Sequence, residues 1–333
     1  MRSWDDDDTL LPQKSCSFNS GLSERQWKRK SLPIQLYYLG EERVLVIWDI
    51  TFDDLTHKKI LNVNMTACTT RSLHVNSLFN TYVIVHEKNY EVITSDPVQC
   101  SMTLKMCRLV YDQKGIPLRS IPFPAKIQRG ILDFVSSKSV PEGFIFRQDI
   151  STVMKYVNST GGTIELNTNF KGIPEISSIA SSAEYNMYTI CRVFLKNATH
   201  VDEYQESITR CDQFNVGDNR PKFHVNFEHF KPIKVQAVHN LKEGGFLLAT
   251  LACDSYFNPL CKDYTVTRQR PGEAVVELDK KSIDLRCSGS LKNVVADSLT
   301  DSDRICFFFS CVHEIYDSRI RIKSVINSYE ICE

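Results

Sequence analysis

The chain carries no net charge, because Lys and Arg number 40 together and so do Asp and Glu. That balance removes the overall basic footprint of a nucleic-acid binder. No stretch approaches the ~20 consecutive apolar residues of a membrane-spanning helix. Gly-x-Ser-x-Gly is missing, as is His-Glu-x-x-His, so neither a nucleophile elbow nor a zinc-hydrolase helix can be read from the chain. Gly-rich phosphate loops are absent too, since Gly161-Gly162 and Gly244-Gly245 are doublets ahead of strands, which is turn chemistry. No cofactor is expected. Sustained 3.6-residue apolar stripes are lacking as well; Ser177 to Tyr185 and Asp149 to Tyr156 offer a helical turn or two at most. The start also lacks the basic then apolar pattern of a signal peptide, because Met1-Arg2-Ser3-Trp4 runs into Asp5 to Asp8.

What the chain has is cysteine: 12 in 333 residues, several at the ends of short β-type runs. Such usage belongs to an oxidising compartment. The expectation is therefore a secreted, extracellular protein, as a fragment or a mature form. An intracellular or viral-type scaffold with free thiols is the alternative. Cys253 and Cys261 bracket a loop between the runs Phe246 to Leu251 and Tyr264 to Thr267. A bond between them would close that hairpin. A second local bridge is expected between Cys191 and Cys211. Three glycosylation acceptors, Asn64-Met65-Thr66, Asn158-Ser159-Thr160 and Asn197-Ala198-Thr199, agree with an extracellular location. A chain of this length and composition yields about two by chance.

Residues 1–32 are polar and without periodicity, so they are read as an arm tied down at most by Cys16, with residues 33–333 as a single domain. From there on, runs of five to seven residues rich in Val, Ile, Tyr, Phe and Thr alternate with turn residues. Hairpins are explicit at Tyr82 to Thr94 around Glu87-Lys88-Asn89, and at Cys107 to Leu118 around Asp112 to Gly115. Strongly apolar strands recur near Val44, Tyr82, Ile131, Tyr188, Phe246 and Ile305. Those intervals of about 40 to 60 residues match the repeat of four-stranded propeller blades. The fold class is therefore all-β, a β-propeller-like array of antiparallel sheets stapled by disulfides. Two β-sandwich domains are the competing architecture.

The segment Gly244-Gly245-Phe246-Leu247-Leu248, through Cys253 and Cys261 to Lys262-Asp263-Tyr264-Thr265-Val266-Thr267, resembles the repeat unit of secreted arthropod proteins of propeller type, most of them without a known function. The likeness covers one good unit and two poorer ones. It implies an extracellular propeller and supplies no catalytic residues.

Candidate chemistry is sparse. His224-Val225-Asn226-Phe227-Glu228-His229 has the residue types of a metal site, but an odd separation sends the two histidines to opposite faces of a strand, and the segment is read as a polar connecting loop. Asp5 to Asp8 lacks the alternating ligands of a calcium cage and is read as a solvated tail. Arg25 to Lys30, with Trp27 at its centre, has the charge to meet an anionic membrane or glycan, and as a run of like charge is read as a solvated face. Among aromatics beside expected loops, Tyr37-Tyr38, Tyr316 and the Tyr256-Phe257 pair, the last is singled out as a partner-binding anchor because the Cys253–Cys261 loop would hold it rigid. The function expected is a binding module for an extracellular protein or cell-surface glycan, without catalysis. A secreted propeller hydrolase or lyase, with scattered Asp, Glu, Arg and Tyr around a channel, is the alternative.

Overall fold

The computed structural model describes residues 9–10, 14–19, 30–40, 42–52, 55–75, 81–86, 88–94, 100, 106–122, 132–135, 143–148, 154–158, 162–167, 176–195, 207–230, 233–253, 261–283, 295–301, 304–315 and 319–330. Every regular element among them is a strand. Two come first, β1 (Thr9–Leu10) and β2 (Lys14–Asn19). A first sheet follows from β3 (Lys30–Gly40), β4 (Arg43–Phe52), β5 (Leu55–Asn64) and β6 (Thr69–Leu73), then a second from β7 (Tyr82–Val85), β8 (Asn89–Thr94), β9 (Cys107–Asp112) and β10 (Pro117–Pro122). The third holds β11 (Leu132–Val135), β12 (Gly143–Gln148), β13 (Met154–Asn158) and β14 (Thr163–Leu166). The fourth holds β15 (Ile176–Glu184), β16 (Met187–Leu195), β17 (Ser207–Asn215) and β18 (Phe223–His229). The fifth contains β19 (Ile233–Asn240), β20 (Phe246–Cys253), β21 (Cys261–Gln269) and β22 (Val276–Ile283), with β1 lying parallel to the end of β22. The sixth is β23 (Val295–Asp301), β24 (Arg304–Ile315) and β25 (Arg319–Glu330), with β2 as its fourth strand.

Consecutive strands within each sheet form an antiparallel meander, and first strands of neighbouring sheets meet at five junctions: β3 touches β7, β7 touches β11, β15 touches β19, β19 touches β23, and β23 returns to β3. The fold is a β-propeller of these sheets. The two-sandwich alternative is set aside, since the core is divided into seams between small sheets rather than gathered between two large ones. In β4, Val44 and Val46 pack on Cys16 and Phe18 of the sixth sheet's edge strand, whereas Leu45 and Ile47 pack on Val83, Tyr90 and Leu109 of the second sheet. A strand buried on both faces has no place for alternation, which is why the apolar runs are continuous there. Outer strands do alternate; β18 exposes every second residue.

Five of the six apolar starting points in the sequence fall in five different sheets, Val44, Tyr188, Phe246 and Ile305 in second strands and Tyr82 in a first, while Ile131 lies outside the described residues. Both expected hairpins are present as β7–β8 and β9–β10. Within residues 1–32, read as an arm, the described stretch Lys14–Asn19 is a strand. Lys14–Asn19 pairs along β25 and closes the ring, and Cys16 is bonded to Cys68 in the turn after β5, tying the sixth sheet to the first. Its polar sequence misleads because a fourth strand buries one face only: Cys16 and Phe18 are inside, Ser15 and Ser17 outside. The two short helical windows are corrected too. Ile176–Glu184 is the innermost strand β15, and Met154–Asn158 is β13; tertiary pairing overrides weak local propensity.

Candidate functional site

Strand direction alternates through every meander, so connections after first and third strands leave from one end of the ring and those after second and fourth strands from the other. At the first end lie tight turns such as 41–42, 65–68, 86–88, 113–116 and 185–186; at the second lie the longest connections, 95–106, 123–131, 167–175, 196–206 and 284–294. Short connections occur at both ends, long ones only at the second. We call them the turn end and the loop end.

Toward the loop end, the seam between the third and fourth sheets holds a charged cluster. Arg192 of β16 and Asp212 of β17 are both 0% exposed, and Arg192 Nη2 donates to Asp212 Oδ2 over 2.6 Å. Arg210 Nε donates to both Asp212 oxygens, at 3.0 and 3.3 Å. The Arg192 guanidinium lies 5.5 Å from the centre of the Phe194 ring. Burial pulls its pKa down, Asp212 holds it up, and the like charges of Arg210 and Arg147 push it down again. Arg147 comes from the last turn of pleat in β12, on the same face as Ile145, which packs against Tyr188 and Ile190. Nε of Arg192 has no hydrogen-bond partner.

A second cluster occupies the seam between the second and third sheets. Glu91 of β8 accepts from Arg108 Nε, 2.5 Å, and Arg108 Nη2, 2.9 Å, and its Oε1 lies 3.1 Å from His86 Nε2. Arg108 also sits 5.5 Å from the centre of the Phe144 ring. Burial alone would raise the Glu91 pKa, but hydrogen bonds from His86 and Arg108 with their charges outweigh it and leave it at about 2.

The turn end is fastened by neutral latches. Gln213 of β17 reaches into the fifth sheet, donating through Nε2 to the Gly245 carbonyl (2.8 Å) and accepting from the Gly245 amide (2.9 Å). Gly245 has φ +84°, and a Cβ there would meet the Gln269 carbonyl at 2.2 Å, so only glycine fits. Asn62 of β5 makes the matching reach, to the Tyr90 hydroxyl (3.3 Å) and the Gln113 carbonyl (2.9 Å) of the second sheet.

Cys191 and Cys211 face each other across β16 and β17, with Cα atoms 4.1 Å apart, and are bridged as expected. Cys253 is disulfide-bonded, and the residue opposite it in the ladder of β20 and β21 is Cys261, whose side chain is outside the described set. Cys100–Cys107 is a further bridge, in the second sheet. Asn64 and Asn158 both end third strands at the turn end, where Asn64 Oδ1 accepts from the Thr66 and Ala67 amides and Asn158 Oδ1 from the Gly162 amide. Asn197, Tyr256, Phe257 and Tyr316 lie outside the described residues, as do Asp5 to Asp8 and Arg25 to Trp27. Tyr37 and Tyr38 are core residues of β3, not loop anchors; Tyr38 is 6% exposed, and burial raises the Tyr37 hydroxyl well above its ordinary pKa. His224 to His229 is an outer strand rather than a loop. His224 is exposed, while His229 faces inward with Nε2 2.9 Å from the Thr209 hydroxyl. No group of three metal-type ligands occurs among the described residues. Sequence reasoning misses both charged clusters, though each leaves a signal: Glu91 and Arg192 are single charges inside the apolar runs Tyr90 to Ile93 and Tyr188 to Leu195.

No protein-family model matches this chain, and no curated protein does. Solved structures do. An α-L-arabinanase of Penicillium chrysogenum, solved with arabinobiose, aligns over 94% of this chain and 98% of its own at 9% identity and TM-score 0.48. The β-propeller domain of Cps50 (Swd1) from Myceliophteria thermophila aligns over 87% and 95%, at 10% identity and TM-score 0.47. The α-L-arabinofuranosidase Arb93A of Fusarium graminearum aligns over 95% and 98%, at 9% identity and TM-score 0.46. At such identities the likeness is one of fold. Disulfides are present at three pairs among the described residues, and no described helix is long and apolar enough to cross a membrane.

Proposed function

We propose that this protein is an extracellular propeller that recognises a macromolecular partner, protein or surface glycan, at its loop end. The observation that carries the reading is the unequal length of the connections: rigid sheets with tight turns at one end support long segments at the other, the usual division between scaffold and recognition surface. Disulfides at Cys16–Cys68, Cys100–Cys107 and Cys191–Cys211 support an oxidising location. Within the loop end, Tyr256 and Phe257 are the proposed anchors, in the connection that leaves β20 at Cys253 and returns at Cys261. Binding without turnover is the first reading. A secreted hydrolase or lyase is the second, favoured by the Arg192–Asp212–Arg210 cluster, because preorganised buried charge is the means by which hydrolytic sites stabilise developing charge.

The test compares the intact chain with one in which residues 196–206 and 254–260 are replaced by short Gly-Ser turns, and with a control altered only at 113–116. Binding to cells and to arrayed glycans is lost in the first and kept in the control. Tyr256→Ala with Phe257→Ala weakens binding by about 2 kcal/mol without moving the melting temperature. Retained binding after the loop replacement overturns the loop-end reading. Release of new reducing ends from a bound glycan selects the enzyme.

A further inference from the structure

We propose that Asn64 and Asn158 are sites of N-linked glycosylation, and that their glycans cover the turn end and leave the loop end to the partner. Both open an acceptor sequon, Asn64-Met65-Thr66 and Asn158-Ser159-Thr160. They also hold the same place in the fold, each being the last residue of a third strand, β5 in the first sheet and β13 in the third. Their geometry matches as well. Asn64 Oδ1 accepts from the Thr66 and Ala67 amides at 2.9 Å each, and Asn158 Oδ1 from the Gly162 amide at 2.7 Å, all three bonds being exposed. A side-chain amide is planar, so an oxygen pinned to the turn directs Nδ2 off it. Nδ2 of Asn64 has no partner among the described residues, and Thr66 is exposed beside it. The Asn158 amide lies against Gly162, where even a Cβ would come within 3.0 Å of Nδ2, and glycine leaves that flank uncovered. At each site Nδ2 attacks C1 of the first sugar of a lipid-diphosphate-linked oligosaccharide: the N–C1 bond forms, the C1–O bond breaks, the lipid diphosphate leaves, and one Nδ2 proton passes to a base of the transferase.

Position gives the glycans a task. Asn64 lies one pleat beyond Asn62 on the same face of β5, and Asn62 already reaches the second sheet at the Gln113 carbonyl. A glycan on Asn64 therefore stands beside the turn 113–116, where Ile116 is 42% exposed. Asn158 lies one pleat beyond Tyr156, whose ring stacks on Tyr188 of the fourth sheet with centres 5.7 Å apart. The Tyr188 hydroxyl donates to the Asp218 carbonyl, and the Val216 amide donates to the Asn186 carbonyl, so the connection 216–222 and the turn 185–186 meet next to this second glycan. Tyr185 in that turn is 43% exposed. Sugar at these two points covers apolar surface that would otherwise face water at the turn end. The third sequon, at Asn197, falls in the loop-end connection 196–206, so its occupancy measures how one-sided the cover is.

The sites rest on the extracellular part of the proposed function, since only a chain that enters the secretory pathway meets the transferase. The experiment is secretion of the full chain from cultured human cells behind an added leader peptide, followed by glycosidase treatment in heavy-oxygen water, which marks each occupied asparagine by its conversion to labelled aspartate. Asn64 and Asn158 are recovered marked. Asn64→Gln and Asn158→Gln each remove one glycan from the intact mass and leave the other. Should Asn64→Gln fail to fold for want of its turn bonds, Thr66→Ala keeps the Asn64 side chain and loses the glycan, whereas Thr66→Ser retains it. Glycosidase-treated native protein self-associates at rising concentration in light scattering, yet binds cells and arrayed glycans as the untreated chain does. Unmarked Asn64 and Asn158 in a secreted, disulfide-bonded chain overturn the sites. Scattering unchanged by deglycosylation overturns the covering role, binding abolished by it moves the partner to the turn end, and a marked Asn197 ends the one-sidedness. Protein from its natural source separates this inference from the reading beneath it: Cys191 and Cys211 alkylated without reductant remove the extracellular location, whereas bridged cysteines with bare Asn64 and Asn158 remove the glycans alone.

Discussion

Two neighbouring seams of the ring bury arginine, and they do so at different depths from solvent. Between the second and third sheets, Arg108 is matched by Glu91, with His86 on the same carboxylate and the Phe144 ring beneath. Between the third and fourth, Asp212 accepts from both Arg192 and Arg210. The first cluster is also more open, its Arg108 side chain being 20% exposed against 1% for Arg192. The pair near solvent ties β8 to β9 within the second sheet, and only the contact of Arg108 with the Phe144 ring crosses to the third. The dry cluster has more stability to lose, since a buried ion pair broken from one side leaves an uncompensated charge.

The largest effect is expected where burial is greatest. Arg192→Ala removes a fully buried side chain and strips Asp212 of its shortest hydrogen bond. Breaking a buried pair from one side costs about 3–5 kcal/mol. Urea denaturation followed by fluorescence should show that loss with the slope unchanged. A loss under about 1 kcal/mol would mean that the seam carries no buried charge worth protecting.

The matched seam differs in its response to acid. Glu91 sits at about 2 in the folded protein against 4.5 ordinarily. A carboxylate with a depressed folded pKa adds stability that is fully present above its unfolded value and is lost as pH falls through the folded one. The window is therefore pH 4.5 down to about 2, and the contribution is on the order of 3 kcal/mol. Glu91→Gln should lose about that amount at pH 7 and flatten the stability curve across the window. An equally steep acid limb in the variant would place its origin elsewhere.

The ring can be read from the residues, and the seams cannot. Val44 to Ile47 is an uninterrupted apolar run because its alternate residues enter two different seams, and such runs mark a buried strand without help from structure. Polar outer strands give no such mark. Lys14–Asn19 and Phe223–His229 read as an arm and a loop, since a strand with only one face inside resembles solvated chain when its partner is unknown. The charged clusters are harder still. Arg192 and Arg210 are 18 residues apart in the chain and become neighbours only through the register of β16 on β17. A lone Arg or Glu in an apolar run is the available sign.

A smaller effect tests geometry apart from charge. Arg108→Lys keeps a cation beside Glu91 but gives up the two-nitrogen grip and the flat contact over Phe144. The expected cost is about 1–2 kcal/mol, read from the same urea curves, with the acid limb retained because the charge remains. If Arg108→Lys costs as much as Glu91→Gln, the seam depends on the shape of the guanidinium more than on its charge.

The smallest effect belongs to a pair that shares the third sheet with both seams and faces water. Lys155 of β13 and Glu165 of β14 are direct cross-strand partners, with Nζ and Oε1 3.5 Å apart and side chains 31% and 69% exposed. At that exposure the attraction is screened, and holding two long side chains in one geometry consumes much of what is left. Glu165→Gln should change stability by less than about 0.5 kcal/mol, with no dependence on salt beyond that of the natural chain. The same chemical groups that are worth several kcal/mol when dry are then nearly silent in solvent, and burial is what separates the seams from the surface. A loss above about 1 kcal/mol on this substitution would break that ordering, because exposure would no longer predict which charges matter.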